Sequence, residues 1–204
     1  MVKSLLKRLL PLPRVVIETE RFTLRAVRRD WLGARSLHWS EDTDFVEGLG
    51  WPPGPYKPRQ WRRRFNRPDN RKIFHFAIFP RGTETLIGAH GVNFTEPGIA
   101  SLYVGIGDHA WWGKGVVQEV RAALLDFIFD QAGGHRAFGM VHASNTASIY
   151  NYQRLGFRHE GTLRRHRTLA RTGEQVDLLA FGMLKEEWQA RRRGVKSAAI
   201  AGIR

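Results

Sequence analysis

The sequence predicts an α+β fold, in which helices flank a sheet whose strands are joined mainly by hairpins. Residues 73–79 alternate and are rich in aromatic side chains, and a turn at 81–83 separates them from a return strand at 85–94. A glycine turn at 113–115 leads directly into a run with apolar residues at helical spacing. Because strands and helices do not alternate regularly, we do not expect a doubly wound parallel sheet.

The first part of the chain supplies two short strands, two helices and a loop. Residues 15–26 contain two strand-like pieces, and Asp30 suits the N-cap of the helix that follows. Residues 42–58 hold three glycines and four prolines, which predict a long loop of the kind that often binds ligands. Pro58 suits the first position of a second helix, which we expect to end near residue 66.

The remaining elements complete one predicted domain at 15–193. In order they are a strand at 101–106, a helix of about four turns after Gly115, a strand at 138–142, a helix at 145–155, strands at 157–163 and 175–184, and a helix at 186–193. Glycines at 133–134 and 156 are placed to end the two longer helices. We expect a basic, apolar tail at 1–14 and a disordered tail at 194–204.

The chain is strongly basic. It has 33 Lys and Arg against 19 Asp and Glu among 204 residues, which gives a net charge of +14. Such a charge attracts acidic proteins, nucleic acids or an anionic cofactor. Cysteine is absent, so disulfides, thiolate metal sites and a cysteine nucleophile are excluded, and we expect a cytoplasmic location. No apolar run approaches the roughly 20 residues of a membrane span.

A cluster of basic residues with interleaved aromatic residues has two interpretations. Its members are Trp61, Arg62, Arg63, Arg64, Phe65, Arg67, Arg71 and Lys72. Arginines alternating with aromatic rings could bind RNA by stacking and phosphate contacts. Alternatively, the cluster is a solvated helix face whose Trp61 and Phe65, four residues apart, point into the core. We favour the helix face.

The glycine turn predicts an anion site. Strand, glycine turn and helix together point unpaired backbone N–H groups and the positive end of a helix dipole at a ligand. The turn is not a P-loop, because Gly115 is followed by Val116 rather than by serine or threonine, and Gln118 replaces the third glycine of a dinucleotide-binding fingerprint. From this stretch alone, a phosphate site and an ordinary loop before a surface helix both remain open.

Two motifs decide between these alternatives. One is Trp-Gly-Lys-Gly at 112–115, and the other is Asn-Thr-Ala-Ser-Ile-Tyr-Asn-Tyr-Gln-Arg-Leu-Gly-Phe at 145–157. In this order they resemble the GNAT acetyltransferase superfamily, and within it the Rim-type branch of ribosomal-protein alanine N-acetyltransferases. The resemblance covers residues 15–188. Further matching positions are the opening motif at 20–25, Glu119 and Asp177.

The resemblance implies a mixed, mostly antiparallel sheet that splays in the middle, with acetyl-CoA as a co-substrate in the split. The family's cofactor turn falls on Trp112, Gly113, Lys114, Gly115, Val116 and Val117. Backbone N–H groups of this turn would bind the pyrophosphate, and Lys114 would add positive charge. Trp112 and Val117 depart from the family pattern. An aromatic residue is common at the first position in the Rim-type branch, whereas Val117 leaves less room for the phosphates.

The resemblance also implies roles for the strand before the turn and for the helix after it. The strand at 101–106 would carry the family's β-bulge and pair its backbone with the pantetheine arm. A backbone N–H near Gly105 or Ile106 would polarise the thioester carbonyl. Asn145 matches the family asparagine that bonds the pantetheine arm, and it also suits the N-cap of its own helix.

Tyr152 and Ser148 match the two positions from which family members protonate the departing thiolate. They lie four residues apart on one predicted helix, so they face the same way. We rank Tyr152 first and Ser148 second, the alternative for Tyr152 being a packed core tyrosine. Because only a neutral amine can attack, a base is needed. Its candidates, besides a water relay, are Glu47, His90, Glu96 and Asp108.

The sequence therefore predicts an N-acetyltransferase in which a primary amine attacks acetyl-CoA directly in a ternary complex, in a groove lined by residues 42–58, the second helix and 164–173. The net charge of +14 disfavours a polycationic acceptor and favours an acidic protein N-terminus or an anionic small amine. No metal is expected, because the histidines show no metal-ligand spacing and are taken as structural: His135, His142, His159 and His166. The alternative is a non-catalytic CoA- or RNA-binding module with a GNAT-like fold. A monomer and a homodimer are both open.

Overall fold

The computed structural model describes residues 15–27, 31–52, 54–65, 68–169 and 171–201. Some predicted features lie outside the described residues: the tail at 1–14, the N-cap at Asp30, residues 66 and 67 at the end of the basic cluster, and residues 202–204.

Eight strands form one sheet in this part of the chain. They are β1 (Val16–Glu18), β2 (Phe22–Ala26), β3 (Ile73–Pro80), β4 (Gly88–Glu96), β5 (Ile99–Ile106), β6 (Arg136–His142), β7 (Arg158–Thr168) and β8 (Gln175–Leu184). The spatial order is β1-β2-β3-β4-β5-β6-β8-β7. Every neighbouring pair is antiparallel except β5 and β6, which are parallel. The predicted mixed, mostly antiparallel α+β sheet is confirmed.

Helices cover both faces of the sheet. They are α1 (Trp31–Arg35), α2 (Thr43–Gly48), α3 (Pro58–Arg64), α4 (Val116–Asp126), α5 (Thr146–Leu155) and α6 (Lys185–Ala201). Short 3₁₀ turns lie at Leu37–Glu41 and His109–Trp111, and a π-helical turn at Phe127–Gln131 extends α4.

The sheet splits between β5 and β6. These strands pair only from Ile99 with Arg136 to Ser101 with Phe138. Beyond that point β5 continues along β4 to Ile106, and β6 continues along β8 to His142. The two parallel strands therefore diverge at Leu102 and Gly139, which form the vertex of the split.

Side chains alternate between the two faces of the sheet along each strand, so the hydrophobic core is divided between these two faces. Phe74 and Phe76 of β3 pack edge-to-face on Phe127, on the face that α4 and α5 cover. The intervening residues of β3 point to the other face, where α1–α3 lie. There Trp61 is fully buried, and Arg62–Arg64 beside it are exposed. The helix-face interpretation of the basic cluster is thus confirmed for Trp61 and Arg62–Arg64, which lie on α3.

Local structure corrects several predicted boundaries. Residues 42–58 are not all loop, because the Asp42 carboxylate accepts a hydrogen bond from Phe45 N (3.0 Å) and starts α2. α1 ends at Arg35, and the hydroxyl of the next residue, Ser36, donates to Leu32 O. β4 begins at Gly88 rather than at residue 85.

Three further corrections concern pairing and length. The expected bulge in the strand at 101–106 is absent, since pairing of β4 with β5 is continuous from Gly88–Ile106 to Asn93–Ser101. β7 extends to Thr168, because Arg167 and Thr168 pair with β8 again beyond an irregularity after Leu163. Residues 164–168, which were expected to lie between the two strands, therefore belong to β7. The last helix does not end at residue 193 but runs to Ala201, so most of the tail expected to be disordered is helical.

Candidate active site

The glycine turn before α4 has the form of an anion cradle. Gly113 and Gly115 have φ angles of 72° and 73°, a left-handed conformation that glycine adopts without a steric cost. Gly115 is the N-cap of α4, so the first N–H groups of the helix lack intrahelical partners and the positive end of its dipole points into the turn. A Cβ added to Gly113 would meet no atom within 4 Å. The turn is therefore open to a ligand.

A hydrogen-bonded brace holds this turn against the β1–β2 hairpin. The Glu119 carboxylate accepts from Thr19 Oγ1 (2.7 Å), Arg21 N (2.8 Å) and Arg21 Nε (2.7 Å), and Arg21 Nη1 donates to Lys114 O (3.0 Å). Burial by itself would raise the pKa of Glu119, but these hydrogen bonds and the Arg21 charge outweigh it and lower the pKa. We refer to Thr19, Arg21 and Glu119 as the brace.

Beyond Ser101, one edge of β5 no longer pairs with β6, and the backbone N–H of Ile106 points from this edge towards the split. Gly107 N donates back to Ile87 O (2.9 Å), beside β4. Because backbone groups alternate along a regular antiparallel pair, the groups of Gly105 also point to β4, and those of Leu102 and Ile106 point to the split. The Ile106 carbonyl is occupied by Trp112 Nε1 at 2.8 Å. Of the two predicted oxyanion donors, the geometry favours the Ile106 N–H.

Tyr152 places its hydroxyl at the vertex of the split. Its side chain is 2% exposed, and its hydroxyl donates to Leu102 O at a long 3.5 Å. The ring stacks on Phe181, with centroids 5.2 Å apart. A Cβ at Gly139 would overlap the hydroxyl, so a glycine there makes room for it. The tyrosine is thus both packed in the core and directed at the point where β5 and β6 separate.

The start of α5 lies at the open end of the split. Asn145 Oδ1 accepts from Ser148 N at 2.9 Å, which confirms the N-cap. A Cβ built on Gly48 of α2 would lie 4.0 Å from Asn145 Nδ2, so α2 and α5 approach each other across the mouth. Ser148 is partly buried one turn before Tyr152.

On the face of the sheet that α1–α3 cover, opposite to α4 and α5, aromatic residues line a small apolar pocket. Its volume is about 20 Å³, room for about one water molecule. The Tyr103 hydroxyl hydrogen-bonds His75 Nε2 (2.5 Å), and burial lowers the pKa of His75 to about 4. A Cβ on Gly105 would lie 2.7 Å from Phe45, so the pocket reaches β5 beside the split. The lining includes Trp39, Phe45, Trp51, His75, Tyr103 and Gly105.

A family model described as an acetyltransferase (GNAT) domain matches residues 21–158. The chain belongs to the GNAT acetyltransferase family. The sequence of an uncharacterized N-acetyltransferase, p20 of Bacillus licheniformis, is 32% identical over 115 residues, which are 55% of this chain and 63% of that protein. The match thus spans less than two thirds of the relative's length.

Solved structures share the fold with different acceptors. A ribosomal-protein-S5-alanine acetyltransferase from Vibrio fischeri has a TM-score of 0.68 at 16% identity, covering 85% of this chain and 98% of that one. A spermidine N-acetyltransferase from Vibrio cholerae, in complex with CoA and spermine, has a TM-score of 0.69 at 20% identity, covering 82% and 98%. The GNAT fold itself therefore does not select between a protein and a polyamine acceptor.

The four side chains predicted as general bases of this GNAT protein are poorly placed or already engaged. Glu47 is held by Arg171 Nε at 2.9 Å. Asp108 accepts from Ala110 N, and Glu96 lies on β4 opposite Ile99, at the far end of the strand pair from the split. His90 is fully buried on the α4 face, where burial and then the Arg121 charge hold its pKa well below the usual value.

His142 is better placed than these and was expected to be structural. It ends β6 at the mouth of the split, and a Cβ on Gly50 would lie 3.0 Å from its Nε2. Burial, and then the positive charge of Arg167, lowers the pKa of His142, while Glu47 opposes the shift. A neutral imidazole at this place can accept a proton. The sequence signal was available, because His142 is the last strand residue before the Asn145 motif.

Two features were not found in the part of the chain that the structure describes. No group of three or more histidine or acidic side chains is arranged to hold a metal ion there. No described helix is both long and apolar enough to cross a membrane.

Proposed function

We propose that this protein transfers the acetyl group of acetyl-CoA to a primary amine by direct attack in a ternary complex. One observation carries the proposal: the Tyr152 hydroxyl lies at the vertex of the split between β5 and β6, beside Leu102 O. A proton donor is thus present where the sheet opens for a ligand. The anion cradle at one end of the split and the apolar pocket behind it support the same assignment.

The cofactor seat follows from these positions. The pyrophosphate would bind the turn formed by Trp112, Gly113, Lys114, Gly115, Val116 and Val117. The pantetheine arm would lie between β5 and β6, with the Ile106 N–H facing the thioester carbonyl oxygen. Asn145 would bond the arm through Nδ2, since its Oδ1 already caps α5.

The chemical step then balances without a covalent enzyme intermediate. The amine nitrogen attacks the thioester carbonyl carbon, and the oxyanion that forms accepts a hydrogen bond from the Ile106 N–H. The carbon–sulfur bond breaks, and the departing thiolate takes the phenolic proton of Tyr152. The nitrogen loses one proton to a base, and Tyr152 regains one from solvent. Ser148, one turn earlier on α5, is the second candidate for the acid.

We infer that His142 is the base, directly or through water. Its lowered pKa keeps the imidazole neutral at neutral pH, so it can take the proton that the amine must lose. It sits on the mouth of the split, where α2 and the β7–β8 hairpin meet: Arg167 Nη2 donates to Gly50 O at 3.2 Å.

The charge around this mouth favours an acidic acceptor, such as the N-terminus of an acidic protein or an anionic small amine. Arg164 and Arg165 on β7 are exposed beside Asp177, whose carbonyl accepts from Ala143 N just after β6. Arg62–Arg64 on α3 are also exposed and add to the positive surface of the protein. Two acidic residues next to the mouth are engaged by the β7–β8 hairpin: Glu47 is paired with Arg171, and the Asp177 carboxylate accepts from Arg165 N. A polyamine would meet net repulsion from a protein of charge +14.

The test combines calorimetric titration of acetyl-CoA with an assay of thiol release. The amine panel contains an acidic peptide with a free N-terminus, a basic peptide of the same length, spermidine and an aminoglycoside antibiotic. We expect binding of acetyl-CoA and fastest release with the acidic peptide. Binding without release across the panel would favour the non-catalytic module, and fastest release with spermidine would contradict the acidic acceptor.

A further inference from the structure

A fully buried arginine lies against the proposed catalytic acid. Arg121, on α4, is 1% exposed and is surrounded by the apolar residues that α4 presents to the sheet. Among the described residues no carboxylate lies within ion-pair distance of it. A guanidinium stays protonated in proteins, so the core holds a positive charge without a negative partner.

The contacts of Arg121 leave part of its hydrogen-bonding capacity unused. Its Nε donates to His90 Nε2 at 3.3 Å, and His90 Nδ1 donates to Gly91 O at 3.0 Å. The Gly91 carbonyl can only accept, so Nδ1 carries a proton. Because Arg121 Nε donates to Nε2, Nε2 is an acceptor without a proton, and the imidazole is neutral. Arg121 Nη1 is buried and has no hydrogen-bond partner among the residues that the structure describes. His90 therefore orients the arginine but does not neutralise it.

The guanidinium stacks on the proton donor itself. The central carbon of Arg121 lies 4.3 Å from the ring centroid of Tyr152. Burial lowers the pKa of Arg121, and its attraction to the Tyr152 phenolic group opposes that shift. In a low-dielectric interior, a charge at this distance interacts strongly with any negative charge that develops on the ring.

A negative charge does develop there in the proposed reaction. When Tyr152 gives its proton to the thiolate of coenzyme A, a phenolate remains in the core. A free phenol is a weaker acid than a free alkyl thiol, so this transfer is unfavourable unless the phenolate is stabilised. The unpartnered cation over the ring supplies that stabilisation.

We propose that Arg121 is a positioning residue of the acetyl transfer, which acts through Tyr152 by stabilising its phenolate during protonation of the thiolate. The inference rests on the proposed function. A purely structural role explains the arrangement less well, because a well-packed apolar residue usually serves a core at least as well as a buried charge.

The test is a double-mutant cycle that joins Arg121→Met to Tyr152→Phe. Thiol release is measured with whichever amine of the panel the wild type turns over, together with acetyl-CoA affinity and the unfolding midpoint. We expect Arg121→Met to fold with an unchanged or higher midpoint and unchanged affinity, and to lower kcat by about tenfold or more. In the Tyr152→Phe background the same change should alter kcat less than about twofold. Arg121→Lys, which keeps the charge, should recover most of the activity.

Each alternative outcome has a distinct meaning. An equal loss of kcat in both backgrounds, an unchanged kcat, or equal losses for Arg121→Met and Arg121→Lys would overturn the role of Arg121 while the proposed function stands. An Arg121→Met protein that unfolds would also overturn it, since the arginine would then be structural. If the wild type releases no thiol with any amine of the panel, the proposed function itself fails.

Discussion

The properties of single residues in the site, such as the pKa of a side chain or the space it occupies, are set by burial and by one or two neighbours. His142 shows this most clearly, because burial and Arg167 both disfavour its charged form and only Glu47 favours it. Tyr152 depends on the space around it rather than on charge. Its hydroxyl fits only because Gly139 has no side chain. Both adjustments lead to predictions about single substitutions.

The pH dependence of the reaction should report His142. If neutral His142 is the base, kcat/KM should fall as the pH drops through its pKa, which burial and then Arg167 hold below the usual value of a histidine. Arg167→Gln removes a positive charge beside the imidazole, so that pKa should rise and the acid limb should move to higher pH. Arg164→Gln, an equal change of charge on the same strand, serves as the control. An acid limb that is the same in all three proteins would exclude His142 as the base.

The space at Gly139 should be needed for the proton donor. Gly139→Ala places a methyl group where the Tyr152 hydroxyl lies, and overpacking of this kind costs about 1–3 kcal/mol of unfolding free energy. We expect a lower unfolding midpoint and a loss of kcat, because the hydroxyl must leave the vertex. Gly161→Ala, where nothing lies within 4 Å, is the matched control and should change neither quantity. An active, fully stable Gly139→Ala protein would show that the hydroxyl is not required at this point.

At the scale of elements, the site depends on how a turn, two strand edges and a helix start are held together. The brace of Thr19, Arg21 and Glu119 ties the glycine turn to the β1–β2 hairpin and fixes the Lys114 carbonyl. If the turn binds the phosphates as proposed, it would not have to be ordered on binding, which would lower the entropic cost.

Loss of the brace should weaken cofactor binding more than it slows chemistry. Arg21→Met removes the charge-assisted hydrogen bonds to Glu119 and Lys114 O, and we expect acetyl-CoA to bind about tenfold more weakly, with kcat nearly unchanged. Arg25→Met, on β2, breaks an exposed ion pair with Glu84 of the loop between β3 and β4 and should leave the affinity unchanged. Calorimetry on both variants makes the comparison. Equal affinities for Arg21→Met and the wild type would mean that the turn is ordered without the brace.

The elements that could be predicted from the sequence are those set by local signals. The α5 cap at Asn145, the glycine turn and the strand pair around residue 82 each depend on neighbours within a few positions. The brace could not be predicted, because Arg21 and Glu119 are 98 positions apart. α2 was missed for a different reason: its Asp42 cap is a local signal, but the surrounding glycines and prolines obscured it.

At the scale of the whole molecule, the charge of +14 acts through its distribution. The arginines of α3 and three arginines of β7 (Arg164, Arg165 and Arg167) remain exposed. Other arginines are neutralised in ion pairs, such as Arg158 with Glu187 and Arg192 with Asp126 and Asp130. Composition gives the sign and size of the charge but not which residues pair. For the same reason the two faces of the sheet, and with them the burial of Arg121, required the folded structure.

Ionic strength should separate an acidic acceptor from a neutral one. If exposed arginines attract the acceptor, kcat/KM for an acidic peptide should fall steeply as salt is raised, because screening shortens the range of the attraction to about 8 Å at physiological salt. A neutral peptide of the same length should show little change at equal acetyl-CoA saturation. Parallel salt dependence for the two peptides would assign the positive charge to the cofactor alone.

The most direct test of the central claim is kcat for thiol release by Tyr152→Phe, measured beside its acetyl-CoA affinity. The substitution removes one hydroxyl at the vertex of the split and keeps the ring that packs on Phe181. General acid catalysis contributes about 10²–10⁴-fold to a rate, so kcat should fall by about 10²-fold or more while acetyl-CoA binds as tightly as before. An unchanged kcat, or a loss of rate that only follows a loss of affinity, would contradict the account.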